Sequence, residues 1–170
     1  MIKKLLILIG AISLSLGISV SNASSTATSK QNEVKLLYVL HATKGQIAKT
    51  KNNQYQLTLK GLKNIAFFSD RPDRVTGNTT ISQFINRWAV GDNSFKANNP
   101  NAAFVGVLDA AKSKSRNKDH FVILSSPLYN ADKNTLYFTI KSIDKNALSA
   151  NKFKNISLFI DPSICGAWCH

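Results

Sequence analysis

Between residues 34 and 160 the chain is a succession of short apolar or alternating runs, each closed by Gly, Pro, Asn or Asp. This punctuation constrains the fold more than any other feature. Val34-Lys-Leu-Leu-Tyr-Val-Leu-His41 has the aliphatic and β-branched content of a strand, and Ala42 to Lys49 can extend it past Gly45. Tyr55-Gln-Leu-Thr-Leu59 alternates apolar with polar, as a half-buried strand does, and Gly61 ends it. Ile65-Ala-Phe-Phe68 supplies the next strand before Ser69-Asp-Arg-Pro72 breaks regular structure. Ala103 to Leu108 and Phe121 to Leu124 flank a polar, basic stretch and are expected to pair as a hairpin. Asn130-Ala-Asp-Lys-Asn134 is a turn into Leu136-Tyr-Phe-Thr-Ile140, and Ile156 to Ile160 forms the last strand.

One segment departs from the strand pattern. Ile81, Phe84, Ile85 and Trp88 fall at i, i+3, i+4 and i+7, which predicts a helix between Thr80 and Ala89 with one apolar face turned to the core. Thr80 followed by Gln83 fits a capping box, and Gly91 suits the left-handed position past the last turn. Seven to eight strands with a single inserted α-helix predict an all-β, antiparallel sandwich or barrel-like fold, and exclude the strand–helix alternation of a doubly wound sheet.

The first 23 residues read differently. Met-Ile-Lys-Lys precedes an apolar run from Leu5 to Val20 and ends at Ser21-Asn22-Ala23, the layout of a secretory signal peptide cleaved after Ala23. The run is shorter than the roughly 20 residues a membrane-spanning helix needs, and no later segment is long enough, so no transmembrane segment is expected after cleavage. Residues 24–32 are polar and aperiodic, a flexible leader, and residues 33–170 are expected to form a single β-rich domain with a Cys-containing tail. The expected residence is therefore periplasmic or secreted, from a bacterium.

Removing the signal, which carries two lysines and no acid, lowers the formal net charge from +13 to +11. That excess invites a polyanion partner. Most of it is dispersed lysine, however, in a chain equally rich in asparagine, so no specific nucleic-acid surface is expected. The one dense basic stretch, Lys112, Lys114, Arg116 and Lys118, reads as a solvated hairpin loop.

The densest polar cluster is Phe67-Phe-Ser-Asp-Arg-Pro-Asp-Arg-Val75. Asp70, Arg71, Asp73 and Arg74 are the ligand-binding candidates, since guanidinium forks in a loop after a buried strand can clamp a carboxylate or phosphate. The same four side chains can instead pair with one another and pin the loop, with Ser69 or Asp70 closing a turn. Together with Leu57 to Gly77, Phe84, Trp88, Asp92-Asn-Ser-Phe95 and Asn99-Pro-Asn-Ala102, this motif resembles a family of secreted bacterial proteins bearing Phe-Ser-Asp-Arg-Pro. The resemblance implies one compact exported domain and no particular reaction.

Cys165-Gly-Ala-Trp-Cys-His170 lies outside that pattern. Two cysteines in an exported chain are expected to form a disulfide, Cys165 to Cys169, closing a small ring. The alternative is a metal or thiol-redox site using Cys165, Cys169 and His170, with His41 or His120 as a further ligand. No cofactor is otherwise implied, and no catalytic residue is assigned. No Gly-x-Ser-x-Gly or His-Glu-x-x-His motif occurs, His41 reads as a strand or core residue, and His120 as an exposed hairpin residue. The function expected is an exported envelope module of binding or structural role, with an anionic envelope component or a protein as its partner. An enzyme using Ser69, Asp70 and Arg71 is the remaining alternative.

Overall fold

The computed structural model describes residues 34–91, 94–109, 117–143 and 148–161. Within them the chain forms β1 (Leu36–Lys49), β2 (Tyr55–Leu62), β3 (Ile65–Ser69), β4 (Thr76–Thr79), α1 (Ile81–Arg87), β5 (Asn101–Leu108), β6 (Asn117–Asn130), β7 (Thr135–Ser142) and β8 (Asn151–Asp161). The fold is all-β with one short helix. Six antiparallel strands close a barrel in the order β1-β2-β7-β6-β5-β8, and β3 and β4 stand outside it. Closure leaves none of the six barrel strands at an open edge, the condition that otherwise invites strand addition.

The 14-residue β1 organises this topology. One side pairs with β8 from Tyr38 to Ile47. The other side pairs with β3 over Leu36–Val39 and with β2 over Ala42–Lys49. Between the pairs Val39↔Ala66 and Ala42↔Leu62, β1 advances three residues while its partner advances four. The extra residue is absorbed at Lys63–Asn64, just beyond Gly61, whose φ of 65° suits glycine and whose missing side chain leaves room for Thr43. Upstream of this break β2 has β7 as its second neighbour; downstream β3 has β4. Register shifts between Ser125 and Leu128 and between Val105 and Val107, with Ser126 and Asn155 at positive φ, bend the wall so that it can close.

Alternating residues fill the interior. Leu40, Leu57, Leu59, Phe104, Leu124, Phe138, Phe153 and Leu158 are among the side chains with no more than 1% exposure. Helix α1 covers the region where β3 leaves the barrel. Phe84 sits 5.0 Å from Tyr38 and 5.7 Å from Trp88, and Trp88 reaches Phe138 on the barrel wall at 5.6 Å, all ring to ring. The capping box forms as the sequence predicts: the Gln83 amide donates to Thr80 Oγ1 at 3.2 Å, and the Thr80 amide donates to Gln83 Oε1 at 3.0 Å.

β4 was not foreseen, because the strand-depleted Gly and Asn at the centre of the four-residue Thr-Gly-Asn-Thr leave no apolar alternation to read. It forms because the preceding loop returns the chain alongside β3, where Gly77 faces Phe67 across the pair. A β-carbon at Gly77 would stand 2.6 Å from Phe67 Cζ, so the Phe67 ring occupies the space that glycine leaves.

Candidate functional site

The Asp70–Arg74 segment is the tip of the β3–β4 hairpin, and every residue from Asp70 to Val75 is exposed. Its frame is made by the residues at its base. The Ser69 amide donates to the Val75 carbonyl at 2.8 Å, the Val75 amide donates to Ser69 Oγ at 2.7 Å, and the Arg74 amide donates to the Asp70 carbonyl at 3.3 Å. Ser69 therefore closes the turn. The expected Asp–Arg pairing does not: among the described residues, none of Asp70, Arg71, Asp73 and Arg74 forms an ion pair, and the ion pair observed is Lys154–Asp109 at 3.4 Å. These exposed side chains gain little from closing on one another against solvent. Phe68 and Val75, both partly exposed, flank the charged tip.

A cleft of about 370 Å³ opens elsewhere, at the break between β2 and β3. Its lining includes Leu62, Lys63, Thr80, Ser82, Tyr129 and Asn134. The Tyr129 hydroxyl donates to Asn134 Oδ1 at 3.2 Å, and Asn134 Nδ2 donates to the Leu62 carbonyl at 3.0 Å. The Gly61 amide donates to the Asn134 carbonyl at 3.3 Å. These bonds tie the β6–β7 turn to the point where the wall splits. Lys63 is the one charged group in the lining, and no His, Cys or carboxylate stands there. Ser69, Asp70 and Arg71, grouped in the sequence as a candidate enzymatic pocket, lie on the hairpin tip and line no part of this cleft.

The histidines are separated. His41 lies on β1, exposed rather than in the core, with Nδ1 3.0 Å from the Ser157 hydroxyl on β8. His120 corrects the sequence expectation: it is 7% exposed, inward-facing on β6 opposite Phe104, and its Nδ1 has no hydrogen-bond partner among the described residues. Its neighbours Asp119 and Phe121 are exposed, so strand alternation, not loop position, turned it inside. Among the described residues no group of three or more His, Cys, Asp and Glu is placed to hold a metal. Cys165, Cys169 and His170 lie outside the described residues, as do Lys112, Lys114, Arg116, the signal segment and the leader; Lys118 is an exposed residue of β6. No described helix is long and apolar enough to cross a membrane.

Sequence reasoning missed a second feature. The strand registers set Ala66, Val39, Phe159, Ala103 and Phe121 directly opposite one another across five neighbouring strands. Ile143 extends the row, its amide donating to the Phe121 carbonyl at 2.9 Å. All face outward: Phe121 is 55% and Phe159 45% exposed. The available signal was the failure of alternation in Phe121-Val-Ile-Leu124 and Ser157-Leu-Phe-Ile160, where apolar residues occupy both faces of the strand.

No protein-family model matches the chain, and no curated protein and no solved structure is significantly similar to it.

Proposed function

We propose that this chain is an exported binding module of the bacterial envelope, and that the β3–β4 hairpin tip is its contact for a protein partner. The observation that carries this is the state of the tip: four charged side chains, exposed and free of ion pairs among the described residues, on a turn braced by Ser69. A turn needed only as a connection does not require them. Two aspartates and two arginines cancel in formal charge, so a polyanion gains little from the tip as a whole, whereas a protein surface can meet both signs. Arginine beside an exposed aromatic, here Phe68, is a composition favoured where binding energy concentrates. Export follows from residues 1–23, and the proposed residence is periplasmic or secreted.

The test is affinity capture from envelope extracts with the mature chain and with an Arg71→Ala/Arg74→Ala variant. The variant is expected to fold normally and to lose a specific protein partner that the unaltered chain retains. Equal capture by both, or binding of both to phosphatidylglycerol vesicles in place of a protein, would contradict the proposal.

A further inference from the structure

Ala103 on β5 pairs with Phe159 of β8 on one side and Phe121 of β6 on the other, so a small residue stands between two outward phenylalanines, each about half exposed. Val39 on β1 and Ile143 just past β7 continue this row at its two ends. In the next outward row Val105 stands in the same way between Ser157 and Asp119, with His41 beside Ser157. Isolated exposed apolar residues are ordinary, but a contiguous set of them marks a contact surface. We propose that this face is the interface of a symmetric dimer, formed with a second copy of the chain about a two-fold axis running along β5.

The strand registers carry the argument. A closed barrel is convex, so two walls meet over only a few strands, here β8, β5 and β6. A two-fold axis along β5 exchanges β8 with β6 across the contact. It sets Phe159 of each copy over Phe121 of the other, Ala103 over Ala103 and Val105 over Val105, the self-complementary pairing an isologous interface requires. Sheets packed face to face lie about 10 Å apart, which leaves room for the four rings to meet in offset or edge-to-face pairs beside the alanines. The same rotation sets the Ser157 hydroxyl of each copy over the Asp119 carboxylate of the other, so the border of the contact faces polar groups with polar groups.

Area and charge select the same occupant. Half-exposed phenylalanines leave about 100 Å² each, so the four rings alone bring together about 400 Å² of apolar surface. With Val105 and Ala103 beside them, they form the apolar centre of an interface of the common size, about 800 Å² per partner. The chain carries +11 after removal of the signal, yet the two rows contain no Lys or Arg and one carboxylate, Asp119. An anionic membrane, which is drawn to lysine and arginine, meets none on this face. Two copies that join through it keep their lysines out of the contact, and the repulsion left between them is screened over about 8 Å at physiological salt.

The test is sedimentation equilibrium of the chain from Ser24 over a range of concentrations, expected to give a monomer–dimer equilibrium and no heavier species. Because the copies repel through net charge, the dimer should tighten as NaCl is raised from roughly 0.05 to 0.5 M. Phe121→Ser and Phe159→Ser, both at exposed positions, should each keep the native circular dichroism spectrum and weaken dimerisation about tenfold or more. Leu128→Ser, at an exposed residue beyond the register shift in β6, should leave dimerisation unchanged. The geometry is read separately with the photo-crosslinking residue p-benzoylphenylalanine at position 121. Irradiated in a mixture of light and isotope-labelled chains, it should give light–heavy adducts on the β8 peptide that contains Phe159. A monomer at every concentration, an open-ended series of oligomers, a dimer unmoved by either phenylalanine substitution or weakened by salt, or adducts confined to one chain would each overturn the proposal.

Discussion

Ser69 and Val75 hold one another twice, through Ser69 N–H to the Val75 carbonyl at 2.8 Å and Val75 N–H to the Ser69 hydroxyl at 2.7 Å. The first bond belongs to the backbone and survives substitution; the second depends on the side chain. Ser69→Ala is therefore expected to cost about 1 kcal/mol, near the usual net worth of a hydrogen bond. It should also raise hydrogen exchange at the Val75 amide while leaving amides of β5 and β8 protected. An unchanged Val75 exchange rate would show that the hydroxyl does not brace the tip.

Gly77 and Phe67, paired two positions below Ser69 and Val75 on the same hairpin, make a separate prediction. Because a β-carbon there would sit 2.6 Å from the Phe67 ring, Gly77→Ala should overpack the site and destabilise by about 1–3 kcal/mol. Combining it with Phe67→Leu should restore part of that loss, since a leucine does not reach as far as Cζ of a phenylalanine. Strict additivity of the two substitutions in chemical denaturation would argue against the contact.

His120 is expected to be a liability for stability. Its Nδ1 is buried without a partner among the described residues, and its ring centroid lies 6.3 Å from that of Phe104. Replacement by phenylalanine removes an unsatisfied polar atom that costs about 1–3 kcal/mol, so His120→Phe should unfold at equal or higher denaturant concentration. A lower midpoint would indicate that the imidazole has a structural partner.

The uneven legibility of the sequence has physical causes. Helix α1 was readable to its cap because Thr80 and Gln83 act within one turn of Ile81, so the signal is local. The strands were readable because Leu57, Leu59, Leu136 and Phe138 alternate with polar neighbours. The choice of a barrel over a sandwich rests on β1 changing partner from β3 to β2, a long-range event decided near Lys63–Asn64 that no local pattern announces. β4 was invisible for the same reason, since Thr76–Thr79 becomes a strand only by lying against β3. At the candidate site the tip was identified from composition, but the bracing role went to Ser69 instead of the Asp–Arg pairs. An ion pair in water returns too little to fix an exposed loop.

Export and the state of the two cysteines are tested together by mass spectrometry of the protein recovered outside the cytoplasm. The expected mass begins at Ser24 and lies two hydrogens below the fully reduced value, returning on reduction, as a Cys165–Cys169 bridge requires. Retention of residues 1–23 would contradict export with cleavage. Thiols alkylated without reductant, or a bound metal mass, would replace the disulfide by the metal or redox alternative at Cys165, Cys169 and His170.

The binding role of the hairpin tip is tested most directly by photo-crosslinking in living cells, with p-benzoylphenylalanine at Val75, beside the charged tip, or at Lys51, in the turn between β1 and β2 at the far end of β1. A discrete adduct to one envelope protein from position 75, absent from position 51 and lost in Arg71→Ala/Arg74→Ala, is the predicted result. The same adducts from both positions, or an adduct from position 75 that persists without the two arginines, would contradict it.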